Sequence, residues 1–307
     1  MSPRAWYRAL TGPAATLVAM ALLAMAASAS GAQEAQEAQE AQASGAVEGA
    51  QASFAQASFA QASFAQASGE EQNAPLAGLP AEGFDHYTLA LTWHPGFCAS
   101  RSRPPRECRE PALREGADRG FVLHGLWPSL PERFADRGVD RRRWWRDGCF
   151  LETPRPDGGF CRAHPPLSLP AGLSRRLEAA MPGRASCLDR YQYAKHAACL
   201  ALPEAAYFSA SVALVEAVNE SAFGAFVTLN QGGEVARNAL IDAFEAAFGE
   251  QTGRSLRLSC GGRGNRLLTE VRIGIAADRL ASFPAAESLV RQPRGRCATR
   301  VRIARFE

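Results

Sequence analysis

The 307-residue chain holds a single lysine, Lys195, among its 34 basic residues. Nearly all of its positive charge is guanidinium, which stays protonated and binds planar anions, while one position carries an ammonium whose pKa moves with burial. Codon bias accounts for a shortage of lysine without any function, so the shortage singles out Lys195 and assigns it nothing. Long apolar runs are also missing. The longest, TLVAMALLAMAA near the N-terminus, is about a dozen residues, short of the roughly 20 that span a bilayer, so no membrane span is expected. No CxxC occurs, which argues against a thioredoxin-type redox pair and a zinc ribbon; no metal site is expected.

What is present falls into three stretches. Residues 1–29 carry Arg4 and Arg8, the apolar run and then small residues, the pattern of a secretory signal peptide. Residues 30–83 contain QEAQEAQEAQ and three copies of QASFA. Such repeats bury little apolar surface, and the period of five sets Phe54, Phe59 and Phe64 drifting around a helix, so a disordered spacer is expected. Residues 84–307 carry 32 basic and 24 acidic side chains, net +8, which suits a polyanionic partner. They also hold all eight cysteines, Cys98, Cys108, Cys149, Cys161, Cys187, Cys199, Cys260 and Cys297. An even count in an exported chain predicts four disulfides, with the pairing left open by spacing alone.

Period-two alternation in FDHYTLALTW, SLRLSC, LLTEVRIGIA and TRVRIARF predicts antiparallel strands, FVLHGLW is a second short apolar run closed by Pro128, and helical spacing marks LSRRLEAAM, PEAAYFSASVALVEAVNE and VARNALIDAFEAAFG, the last stopping at Gly249. Strands at both ends with helices between them predict an α+β fold, a central antiparallel sheet flanked by helices. SCLDRYQYAKHAAC reads as a further helix started by Ser186, with Gln192 and His196 sharing a face and Lys195 alongside. His124 lies inside the apolar run of FVLHGLW, where a hydrogen-bonded core histidine is the plain alternative to a functional one. His86, His94 and His164 read as structural or exposed, the last two in loops.

Taken together, HGLWP and YAKHAAC resemble the two signature motifs of the ribonuclease T2 family, an HGLWP strand and a helix ending in KHG-x-C. The likeness runs from Tyr87 to Cys297, through YTLALTW-x-x-GFC, RGVDRRRW and SCLDRYQYAKHAAC to the final cysteines. It is similar above all to the family's bacterial periplasmic branch. The resemblance implies a disulfide-stabilised α+β domain over residues 84–307. It implies a periplasmic, monomeric, metal-independent endoribonuclease without cofactor, cleaving single-stranded RNA by transphosphorylation to 2′,3′-cyclic phosphates with little base specificity.

The residue types suit that chemistry. RNA supplies its own nucleophile, the 2′-OH, so the protein must remove one proton and deliver another, and histidine titrates in the right range for both. By resemblance, His196 is the base toward the 2′-OH, His124 the acid toward the leaving 5′-oxygen, and Lys195 the cation on the phosphorane. DNA, lacking the 2′-OH, is not expected to be cut. Trp127 is either a stacking platform for a base or a core tryptophan. The resemblance also implies the pairs Cys149–Cys199, Cys260–Cys297, Cys98–Cys108 and Cys161–Cys187.

Three positions depart from the pattern. Gln192 stands where the family has glutamate, Tyr191 where histidine is common, and Ala197 where glycine follows the catalytic histidine. An amide at 192 can donate to a phosphoryl oxygen but cannot share a proton, which predicts an active enzyme with an altered rate or pH optimum; Gln192→Glu is expected to change the pH–rate profile. The alternative is a catalytically impaired RNA-binding member of the same fold.

Overall fold

A computed structural model describes Leu76, Leu79 and residues 83–306; the expected signal peptide and most of the expected spacer lie outside the described residues. Leu76 and Leu79, upstream of residue 84, are buried in the main core. The described strands are β1 (His86–Thr92), β2 (Val122–Pro128), β3 (Glu234–Ala236), β4 (Leu256–Gly261), β5 (Leu267–Ala276) and β6 (Arg300–Arg302). The helices longer than one turn are α1 (His94–Ala99), α2 (Arg141–Asp147), α3 (Ala171–Ala180), α4 (Leu188–His196), α5 (Glu204–Glu220), α6 (Ala222–Leu229) and α7 (Arg237–Phe248).

Strands β2, β1, β5 and β4 lie side by side in that order, all antiparallel. β6 joins β5 through one parallel pairing, Leu267 with Arg302, and β3 pairs with β6. The C-terminal alternation in TRVRIARF thus yields only a three-residue strand.

One face of the sheet is the core face. Tyr87, Leu89 and Leu91 of β1 and Val271, Ile273 and Ile275 of β5 are fully buried there, as are Phe208, Val212 and Val215 of α5. α5 starts after Pro203 and is Ala-rich, which favours helix, and most of its length is buried because α3 and α6 cover the sides the sheet does not. Phe223 of α6 stacks on Phe121 and meets Phe244 of α7 edge-on. Burial of each such side chain stabilises by about 1.5–3 kcal/mol. α7 ends at Gly249, whose φ of +107 a side chain would oppose. No single described helix is long and apolar enough to cross a membrane; the bent pair α5–α6 that passes on length and composition is the core pair just described.

β2 is an edge strand, and Tyr207 of α5 covers it: its hydroxyl donates to the Leu126 carbonyl at 2.7 Å and accepts from the Leu126 N–H. The β1–β2 register breaks once. Ala90 pairs with Gly125 but Leu91 pairs with Leu123, which leaves His124 as the extra residue of a β-bulge. The bulge lets Leu123 and Leu126, three apart, both face the core. It also turns His124 off the core face, so the core-histidine alternative does not hold.

All four disulfides take the pairs implied by the family resemblance, and among the described residues no cysteine is free. Two of them hold α4 at its ends. Cys187, bonded to Cys161, is its N-cap in the left-handed region at φ 58, and Cys199, bonded to Cys149, lies just past its last residue, His196. Ser186, expected to start this helix, instead donates its hydroxyl to Glu107 at 2.6 Å. Ala197 ends the helix at φ −127, a backbone any residue adopts, so glycine is not needed there. His94 is the first residue of α1 rather than a loop residue and is buried, as is His164.

Candidate active site

The second face of the sheet carries the site. Trp127 of β2 and His196 of α4 stack with centroids 5.4 Å apart at 26°, and His124 meets the same indole edge-on at 5.1 Å. Both imidazoles therefore contact the same buried indole, and their centroids lie no further apart than the sum of those distances. The sequence separates them by about 70 positions; the packing of α4 on β2 joins them.

Gln192, one turn before His196, is 2 % exposed, and its Oε1 accepts from the Trp127 indole N–H at 2.6 Å. An indole nitrogen only donates, so the amide oxygen must face Trp127 and the amide NH₂ is the group left to donate elsewhere. Gly125 makes this contact possible: a Cβ at 125 would collide with both Gln192 Oε1 and Trp127 Nε1.

His124 is oriented by a residue that the sequence did not single out. Glu270 of β5, opposite Thr92, accepts a 2.6 Å hydrogen bond from the Nδ1–H of His124. Its other oxygen accepts from Arg272 Nε at 2.5 Å. Burial disfavours the charged carboxylate, but the hydrogen bond and charge of His124 and the charge of Arg272 outweigh it, and Glu270 titrates below the ordinary carboxylate value. With Nδ1 committed to the carboxylate, Nε2 is the nitrogen of His124 that can exchange a proton with a substrate. The available signal was TEVRI, where Glu270 and Arg272 share one face of an otherwise apolar strand. In a sheet with one solvated face that pattern is ordinary, which is why it carried no weight.

His196 has the opposite environment. Burial, then the positive charges of Lys195 and His124, push its pKa well below 6.5, so its neutral, proton-accepting form prevails at neutral pH. Lys195 lies with Nζ 5.9 Å from the Tyr191 ring, and burial lowers its pKa against the pull of Asp147, with Arg155 adding to the lowering. Asp147 is itself paired with Arg146. The sign of the Lys195 effect on His196 gives a test. Removing the ammonium in Lys195→Met relieves a like charge, so the His196 pKa rises and the acid limb of kcat/KM against pH moves to higher pH. An unmoved limb in Lys195→Met would show that the two groups do not interact.

Trp127 is only 6 % exposed, enclosed by His124, His196, Gln192 and Trp145. The exposed ring is Trp145, 43 % accessible, edge-on to Trp127 at 5.4 Å. Asp140 caps α2 by accepting from the Arg143 N–H, Trp144 turns inward to donate to the Pro128 carbonyl, and Trp145 is thereby presented beside the site. Arg272 lies over both Trp127 and Trp145, 4.9 and 5.6 Å from the rings. Among the described residues one group of His and Cys atoms is spaced for a metal, His94 with Cys98 and Cys108, but its two sulfurs form a disulfide and offer no thiolate.

This basic, disulfide-tethered α+β domain joins, through its sheet and one helix, two histidines in unlike settings, one buried with its pKa held low and the other hydrogen-bonded to a carboxylate. The model described as the ribonuclease T2 family matches residues 84–287, and this chain belongs to that family, as an endoribonuclease. It is similar to ribonuclease I of Escherichia coli (strain K12), 40 % identical over 226 residues that cover 70 % of this chain and 84 % of that one. A ribonuclease of Aeromonas hydrophila is 47 % identical over 47 residues, 15 % of this chain and 18 % of that one. Among solved structures, the self-incompatibility associated SF11-RNase of Nicotiana alata aligns over 72 % of this chain and all of that one, with 18 % identity and a TM-score of 0.46. RNase MC1 from bitter gourd seeds aligns over 71 % of this chain, with 17 % identity and a TM-score of 0.41.

Proposed function

We propose that this chain is an exported, periplasmic endoribonuclease that cleaves single-stranded RNA without a metal, by transphosphorylation to 2′,3′-cyclic phosphates. The carrying observation is the pair of unlike imidazoles on Trp127: a buried His196 that favours its neutral form and a His124 held through Nδ1 by Glu270. His196 takes the proton of the 2′-OH, the freed oxygen attacks phosphorus, and His124 Nε2 delivers a proton to the departing 5′-oxygen. Lys195 and the NH₂ of Gln192 supply charge and a donor to the phosphorane oxygens.

Trp145, rather than the enclosed Trp127, offers the face on which a base stacks. A cavity of about 340 Å³ opens beside His124, with Phe97, Phe160, Arg101 and Arg103 in its lining. Rings and guanidinium groups hold any base by stacking and charge, which suits low base specificity. Four disulfides belong to a protein that folds in an oxidising compartment, in keeping with export.

The test is incubation with RNA in excess chelator. Products should end in 2′,3′-cyclic phosphate, and a 2′-deoxy nucleotide 5′ of the scissile bond should block cleavage there. Linear 5′-phosphate ends, or loss of activity on chelation, would overturn the mechanism. Salt-sensitive binding without any cleavage would point to the impaired RNA binder instead.

A further inference from the structure

The cationic surface does not stop at the catalytic side chains. The register Gly125–Ala90–Arg272–Arg257 runs straight across β2, β1, β5 and β4, which puts Arg257 next to Arg272 on the site's face of the sheet. Like charges directly opposite each other on neighbouring strands destabilise a sheet, and here no acid separates them. Arg296, exposed in the segment before Cys297, adds a third positive charge acting on Arg257. Among the described residues the carboxylate acting on Arg257 is Glu270, and both its oxygens are already taken by His124 and Arg272. Arg257 Nε is buried and has no hydrogen-bond partner among the described residues. A buried donor left unpaired is costly, and burial with two neighbouring guanidinium groups lowers the Arg257 pKa.

We propose that Arg257 and Arg296 form a second phosphate-binding position, which holds the backbone phosphodiester next to the scissile one on the strand of RNA crossing this face. The proposal rests on the ribonuclease reading for its ligand. Arg272, stacked on Trp127 and Trp145 and bonded to Glu270, links this position to the reacting centre. A phosphodiester there would supply, at the accessible side of the half-buried Arg257, the negative charge that three adjacent guanidinium groups call for.

The experiment compares a dinucleoside monophosphate, which has only the scissile phosphate, with an oligonucleotide of the same central sequence. In Arg257→Gln the ratio of kcat/KM for the oligonucleotide to that for the dinucleoside monophosphate should fall about tenfold, as for a lost hydrogen bond to a charged group. The salt dependence of oligonucleotide binding should become shallower by about 0.7 for the one contact removed from a single strand. Arg296→Gln, on an exposed loop, should shift both readouts in the same direction by less. The melting temperature of Arg257→Gln should hold or rise, because the guanidinium has no partner at Nε to lose. An unchanged ratio, or an equal fall on both substrates, overturns the proposal. Binding of a 2′-O-methylated oligonucleotide, read by fluorescence anisotropy, keeps the two readings apart. If the wild-type protein cuts neither substrate but Arg257→Gln still weakens binding, the ribonuclease reading fails and the phosphate position stands.

Discussion

Glu270→Gln should lower kcat by about 10²- to 10⁴-fold, the range spanned by loss of a general acid and by the wrong histidine tautomer in a hydrolase triad. Glu270 accepts two hydrogen bonds, from His124 Nδ1 and from Arg272 Nε. Arginine can only donate, so a glutamine here gives its oxygen to Arg272 and turns its NH₂ toward His124. Nδ1 must then accept, the remaining proton moves to Nε2, and the doubly protonated ring that would protonate the leaving group is excluded. The change is nearly isosteric, so a melting temperature close to wild type with KM little altered separates this outcome from unfolding. A variant with wild-type kcat would show that Glu270 does not set the proton position of His124.

Gly125→Ala is expected to cost both stability and activity. A methyl group at 125 would lie within collision distance of Gln192 Oε1 and Trp127 Nε1, and it cannot be accommodated without parting them. A buried indole N–H without its acceptor costs about 1–3 kcal/mol, and overpacking a filled site a similar amount. The activity effect follows because Trp127 is the common support of both histidines. A displacement of about 1 Å can cost about 100-fold in rate. Thermal denaturation and kcat/KM on the same preparation check both parts. A Gly125→Ala protein with normal activity would mean that the Trp127 contacts do not position the histidines.

The motif HGLWP therefore does more than supply the proposed acid. His124 is the bulged residue, Gly125 leaves room for Gln192, Leu126 is pinned through its backbone by Tyr207, and Trp127 contacts both imidazoles. The departure at Gln192 also takes on a different weight. Its oxygen is occupied by Trp127, a contact that glutamate could make equally well, so the substitution leaves the support of the ring in place and puts an amide NH₂ where glutamate would have its second oxygen.

The amino-acid sequence by itself determined the α+β class and the strands and helices whose apolar positions repeat every two or about 3.6 residues, and through its motifs it singled out His124, His196 and Lys195 as candidates. Those features are local: alternation, helical spacing and a motif of five residues survive without knowledge of neighbours. The sequence could not show that Glu270 meets His124, 146 positions away, because a glutamate on a polar strand face looks like any solvated one until a second element covers it. Nor could it tell Trp127 from Trp145 as the exposed ring, or reveal Arg257 opposite Arg272, since strand register and the placement of α4 arise from packing across the whole chain. Tertiary structure decided proton positions and charge neighbours for this reason: both depend on distances of a few ångströms between residues that only the folded sheet brings together.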